Sequence, residues 1–283
     1  MNINFAGSQD NFEFTTLKEV ITRLLQNTGY VVDADATGIA TGFDKVDSVT
    51  RGFQSGELSV VASKPGIGKT AFLLSLLFNI ASKSGKTVGV FSPERSAVKM
   101  FHRMIESETH QSVQKIKSGA IKDSEKDAIN TILYTLSKSE IYVDDTHYLS
   151  KDDFHKRCKQ LKNKYGADII FIDGFELLSQ KEVFDYHENT EKQPCVLHDI
   201  KAIAEELKIP IVIFSHLANT VNHTPSMDNV YDFIPHIADA VYLIHRQNMS
   251  DTADIIIAKH PNIKESLTVS LKFIESIDKF VDF

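Results

Sequence analysis

Three groups of residues have the types and spacing for phosphate chemistry. The first is Ser-Lys-Pro-Gly-Ile-Gly-Lys-Thr-Ala at 63–71, between an apolar run and an apolar helical pattern. This context fits GxxxxGK[ST], in which glycines let backbone amides close on phosphate oxygens. Gly66 and Gly68 supply that freedom, Ser63 stands at the first glycine position, and Pro65, Ile67 and Ala71 complete the candidate nucleotide-contacting loop. Lys69 is expected to reach the β- and γ-phosphates and the Thr70 hydroxyl to hold Mg²⁺, while the following helix N-terminus favours the anion. The second group is Asp173, which ends the run Ile169-Ile170-Phe171-Ile172 where a carboxylate organises the Mg²⁺ water shell. Asp-Gly also suits a plain turn, but beside a phosphate loop the metal reading is preferred. The third is Glu94, just past "TVGVFS", as the general base for an attacking water; alone, it reads equally as a first-turn acid on the next helix. Together they describe nucleoside triphosphate hydrolysis.

The elements that must position these groups follow from the patterning. Apolar runs of strand length, "LSVVAS", "TVGVFS", "IYVDD", "ADIIFID" and "IPIVIFSH", alternate with helical patterns at 69–83, 96–108, 123–138, 150–165 and 196–208. That alternation predicts βαβ units and a mostly parallel sheet, with ligands at the carboxyl ends of its strands. "DAVYLIHR", "ADIIIAKH" and "SLTVSLKF" follow without intervening helices and predict antiparallel strands at one sheet edge. Residues 37–283 are expected to form this α/β domain. Residues 1–36 are expected to form an appendage, with a candidate helix at 15–27 whose apolar stripe would serve its own domain or a neighbouring subunit. The 283 residues bury a core without metal or disulfide help, and Cys158 and Cys195 lack the clustering of a zinc site. With no signal-like start and no apolar run near the ~20 residues of a membrane helix, a cytoplasmic chain without membrane contact is expected. The net charge of −7 argues mildly against whole-surface affinity for nucleic acid, though not against a local basic channel.

In this order the pieces resemble the C-terminal motor domain of DnaB-type replicative helicases, a branch of the RecA-like P-loop NTPases, over roughly residues 37–275. "TGFDKVDSVTRGFQSGELSVVASKPGIGKTAF" is similar to the family's opening segment, and "VFSPERS" to its Ser-Leu-Glu-Met strand end, which makes Glu94 the catalytic glutamate. "IYVDDTHYLSKDDFHKRCKQLKNKYGADIIFID" leads to the second acidic motif, and "LKIPIVIFSH" matches the strand carrying the γ-phosphate sensor, here His216 in place of the usual Gln. The resemblance implies ATP and Mg²⁺ as ligands, a ring of about six subunits, single-stranded DNA as the track, and replication proteins as partners.

Three departures bear on that expectation. "IIIAKHPNIKES" puts Pro261 where the family has an arginine that enters the neighbouring subunit's ATP site, leaving Lys259, or Lys264 after rearrangement of the turn, to reach across. The DNA-facing stretch 217–240 carries no Lys or Arg, and the stretch 177–194 sets Lys181 and Lys192 against four acids. The family's helical N-terminal domain is expected to have no counterpart here. An ATP-driven helicase or translocase is therefore the first expectation. The alternative is a degenerate accessory relative that binds ATP and assembles, with weak turnover and weak DNA affinity. A small-molecule kinase fits less well, since no arginine-rich lid is visible.

Overall fold

The computed structural model describes residues 38–174, 192–219, 223–247 and 250–283, all within the unit Ala36–Phe283. The strands are β1 (Leu58–Ser63), β2 (Val88–Phe91), β3 (Ile141–Asp144), β4 (Ile169–Asp173), β5 (Ile211–His216), β6 (Ala240–Arg246), β7 (Thr252–Lys259), β8 (Leu267–Ile274) and β9 (Lys279–Val281). They join in one sheet of order β3-β2-β4-β5-β1-β6-β7-β8-β9. The first six in that order pair in parallel and the remaining three pairings are antiparallel. The helices are α1 (Asp44–Thr50), α2 (Lys69–Leu77), α3 (Ala97–Thr109), α4 (Val113–Ser118), α5 (Asp123–Ser137), α6 (Lys151–Tyr165), α7 (Lys192–Leu207) and α8 (Ile234–Ile237).

A parallel sheet covered on both faces needs strands that are apolar throughout, which is why the central runs are nearly continuous Val, Ile and Phe. β1 shows the logic: all six residues are buried, and side chains alternate between two cores. Leu58, Val60 and Ala62 join Phe154 and Cys158 of α6 and Val196 and Ile200 of α7. Val61 faces the other way, with Leu73, Leu76 and Leu77 of α2 and Met100 and Met104 of α3. At ~1.5–3 kcal/mol for each fully buried aliphatic side chain, this strand is anchored from both sides, and the candidate phosphate loop hangs from its end.

The predicted strands and long helices stand where their apolar runs placed them, within a few residues. The structure adds α1, α4, α8 and β9, and it extends α2 by a π-helical turn, Phe78–Lys83, in which the Ser84 amide donates to the Asn79 carbonyl at 3.0 Å. Among the described residues, no helix is long and apolar enough to cross a membrane. The expected terminal helix at 15–27 and residues 175–191 lie outside the described residues.

Candidate nucleotide site

Parallel pairing brings the carboxyl ends of β1, β2, β4 and β5 to one edge: Ser63 pairs with His216, Asp173 with Phe214, and Phe91 with Ile172. A cleft of about 400 Å³ opens there. Lys64, Pro65, Gly66, Gly68, Lys69 and Thr70 form one wall, and Glu94, Asp173 and His216 come in from the neighbouring strands. The five residues expected to carry the chemistry, Lys69, Thr70, Glu94, Asp173 and His216, are thus brought together from four segments far apart in sequence.

The loop enters α2 through Gly68, whose φ of +110° is open to glycine and strained for other residues. A Cβ there would lie 3.1 Å from the Phe280 ring of β9 and 3.3 Å from the Phe273 ring of β8. The antiparallel edge therefore supports the phosphate loop from behind. The Phe280 amide adds a hydrogen bond to the Ser75 hydroxyl of α2 at 3.1 Å.

Glu94 is held by a tight turn. The Arg95 amide donates to the Ser92 carbonyl at 3.3 Å, and the Ser92 hydroxyl donates to the Arg95 carbonyl at 2.9 Å. Pro93 occupies the second turn position, where its fixed φ is favoured. The Pro93 carbonyl meets His147 Nδ1 at 2.5 Å and the Ala97 amide donates to Asp145 at 2.9 Å, so the residues after β3 brace the turn after β2. The Glu94 side chain then lies over Gly174, next to buried Asp173. A Cβ on Gly174 would stand 3.1 Å from Glu94 Cγ and 3.3 Å from Cδ and Oε1, and Gly174 has φ +96°. Both the backbone and the close approach call for glycine.

Not every expected residue lines the cleft. Ser63 is fully buried and its hydroxyl donates to the Lys64 carbonyl at 3.0 Å, Ala71 is buried inside α2, and Ile67 borders a second cleft of about 550 Å³. That second cleft also holds Lys64, Pro65, His245 and Arg246. Burial holds the His245 imidazole below its usual range, with Lys64 in the same direction and Asp254 opposing. The Arg246 guanidinium sits over the Phe273 ring, 4.2 Å from its centroid. Lys259 lies elsewhere. Its ammonium donates to the carbonyls of Pro235 at 2.8 Å and Ala238 at 2.7 Å, at the end of α8. Two carbonyls thus fix within its own chain the cation expected to cross to a neighbour. Pro261 lies exposed in the turn between β7 and β8.

Lys64, Arg95, Arg103 and Asp278 also border the cleft, although sequence reasoning did not single them out. Lys64 and Arg95 sit inside the quoted motifs and were open to notice. Arg103 and Asp278, which form an ion pair, are 175 positions apart and have no local signal.

For the metal, the donor set is consistent: the Thr70 hydroxyl and Asp173 carboxylate are hard oxygen donors, which suit Mg²⁺ when phosphate and water complete its shell. The described residues contain no group of three or more His, Cys, Asp or Glu that could hold an ion by themselves.

A profile of the DnaB-like helicase C terminal domain matches residues 38–282. The chain is 31% identical over 292 residues to the replicative DNA helicase DnaC of Bacillus subtilis, covering 98% of this chain and 64% of that protein. It is 30% identical over 284 residues to the replicative DNA helicase DnaB of Geobacillus stearothermophilus, covering 95% and 62%. The chain thus spans a little under two thirds of those relatives. Among solved structures, an isolated ATPase domain superposes with a TM-score of 0.83 at 23% identity, covering 96% of this chain and all of that one. A DnaB-like replicative helicase, in a structure concerned with its interactions with primase, gives 0.79 at 22%, covering 96% of this chain and 68% of that one. A mostly parallel sheet, a glycine loop at its carboxyl edge and a match over nearly the whole described chain lead to one conclusion: the chain belongs to the DnaB-like helicase C-terminal domain family.

Proposed function

We propose that the cleft binds Mg·ATP and hydrolyses it, and that the chain works as the motor part of a replicative helicase on single-stranded DNA. The observation that carries this is the convergence of Lys69, Thr70, Glu94, Asp173 and His216 on one cleft. Lys69 holds the β- and γ-phosphates, and backbone amides of the loop at the start of α2 cradle them. Thr70 and Asp173 hold Mg²⁺, which when bound neutralises charge on the phosphates. Glu94 orients the attacking water and takes its proton, and its turn and Gly174 fix where the carboxylate stands. His216, at the end of β5, contacts the γ-phosphate and senses its loss.

Single-stranded DNA, a ring of like subunits and replication partners are proposed from the family, and from the primase named with one structural relative. The test is steady-state Mg·ATP hydrolysis at low salt, with and without single-stranded DNA, with the oligomeric state measured alongside. DNA-stimulated turnover by an oligomer supports the motor. Tight ATP binding with negligible, DNA-independent turnover refutes it and leaves an assembly switch. Lys69→Ala should abolish binding or turnover in either case; a variant that binds Mg·ATP like wild type refutes the site itself.

A further inference from the structure

We propose that Arg95 is a catalytic residue of this cleft and contacts the γ-phosphate from within its own chain. It would supply the cation that neither Lys259 nor Pro261 delivers from a neighbour. The proposal rests on ATP hydrolysis at this site and adds the residue that balances charge in the transition state.

Splitting a triphosphate spreads negative charge over the γ-phosphoryl oxygens and the departing bridging oxygen, and cations aimed at those atoms give the largest single electrostatic contribution. Four cations border the cleft: Lys64, Lys69, Arg95 and Arg103. Lys69 belongs to the phosphate loop. Arg103 is neutralised by Asp278, and Lys64, at the start of the loop, also faces the second cleft. Arg95 combines three features, of which only the last, a head unpaired among the described residues, is shared by Lys64. It follows Glu94 directly, at the last position of the hydrogen-bonded turn, so the proton acceptor and the guanidinium share one clamped backbone. Its side chain is exposed. Among the described residues its guanidinium has no hydrogen-bond or ion-pair partner, although Asp173 and Glu94 border the same cleft. A planar fork on a long flexible stem, with a fixed base and an uncommitted head, suits bidentate contact with phosphate oxygens.

The two positions that the resemblance points to offer no free cation for a neighbour, and Lys264, exposed in the same turn, would reach across only after the turn is rearranged. The Lys259 ammonium is held by the Pro235 and Ala238 carbonyls, and Pro261 carries no charge.

In the step itself, the water oxygen bonds to the γ-phosphorus as the bond to the β–γ bridging oxygen breaks. The bonding pair leaves with ADP and the water proton passes to the Glu94 carboxylate. The Arg95 fork donates to a γ-oxygen and to the bridging oxygen as both gain charge.

The test uses the full chain with Mg·ATP, Mg·ADP and a non-hydrolysable triphosphate analogue. Arg95→Met keeps the stem and removes the charge. Expected are a fall in kcat of at least ~10²-fold, within the range of arginine fingers, with little change in ADP affinity. Binding of the triphosphate analogue should weaken about tenfold, so that the preference for triphosphate over diphosphate shrinks, and Arg95→Lys should recover part of it. The unchanged ADP affinity shows that the variant is folded. Mixing Arg95→Met with Lys69→Ala protein should restore no turnover, because each intact phosphate loop then lacks its own Arg95. Restored turnover would place the guanidinium in the neighbour's site and overturn the proposal. So would an Arg95→Met variant equal to wild type in kcat and analogue binding. If wild type binds nucleotide but turns it over too slowly to measure, the analogue-to-ADP preference alone decides, in the same two directions. Wild-type protein that binds no Mg·nucleotide, like Lys69→Ala, would fail the site reading and the proposal with it.

Discussion

Replacing Gly174 by alanine isolates the placement of Glu94. The methyl group would enter 3.1 Å from Glu94 Cγ and 3.3 Å from Oε1, on a backbone at φ +96°. Ordinary carbon contacts lie at ~3.5–4.0 Å, so the carboxylate must retreat by about half an ångström, or the turn must shift. Displacing a reacting group by ~1 Å can cost ~10²-fold in rate, which sets the expected fall in kcat at about tenfold to a hundredfold. The left-handed backbone adds ~1–2 kcal/mol of instability. Gly166→Ala controls for that second effect: Gly166 ends α6 at φ +71°, and nothing lies within 4 Å of the added methyl. Both variants should lose a few degrees of Tm, at ~2–4 °C per kcal/mol for a domain of this size. Only Gly174→Ala should lose turnover, with nucleotide affinity kept because Lys69 and the loop are untouched. Steady-state hydrolysis, nucleotide titration and thermal unfolding of the two variants settle the matter. If Gly174→Ala hydrolyses ATP within about twofold of Gly166→Ala, Glu94 is not the base whose position matters.

Further outcomes are expected elsewhere. Lys259→Met removes the donor to the Pro235 and Ala238 carbonyls, so it should lower stability by about 1–2 kcal/mol. Its kcat should stay near wild type, whereas a large kcat loss at unchanged Tm would return Lys259 to a role in a neighbour's site. Pro261→Arg should raise turnover most clearly in the Arg95→Met background, where a cation is missing; no gain in either background, with assembly intact, would count against placing residue 261 at a subunit boundary. His260 is buried, its Nδ1 accepts from the Asn262 amide at 3.1 Å, and burial lowers its pKa. Below its ordinary pKa of ~6.5 the unfolded chain takes up a proton that the folded chain resists, so this contribution is complete above that pH and fades as pH falls. Wild-type Tm should therefore drop more steeply between about pH 7 and 5.5 than that of His260→Asn, which keeps an acceptor and does not titrate. His245 has the same sign and leaves a residual slope in both proteins. Equal slopes would exclude His260 as the source.

The legible parts of the molecule were those fixed by short-range pattern. β1 and β4 are runs of Val, Ile and Phe buried on both faces, and a glycine turn into a helix is readable from nine consecutive letters. Once the strands are parallel, Lys69, Glu94, Asp173 and His216 meet at one edge without further information. β9 was not legible: three residues, Lys-Phe-Val, give no period, and the strand forms by pairing with β8. The fate of Lys259 depends on where α8 ends, and the Arg103–Asp278 pair joins helix α3 to a turn near the other end of the chain. The π-helical turn after Leu77 is likewise set by packing, since nothing in Phe-Asn-Ile-Ala-Ser-Lys breaks a helix.

The seat beneath Gly68 has a consequence for synthesis on the ribosome. The Phe280 amide reaches back 205 positions to Ser75, and its ring covers Gly68. An emerging chain can therefore exhibit the whole phosphate motif, and even the parallel half of the sheet, long before that motif has its support. Contacts of such long range close late, after their loop entropy has been met. The support beneath the loop is thus absent from a chain that has yet to reach residue 280, and is complete only once that residue has docked.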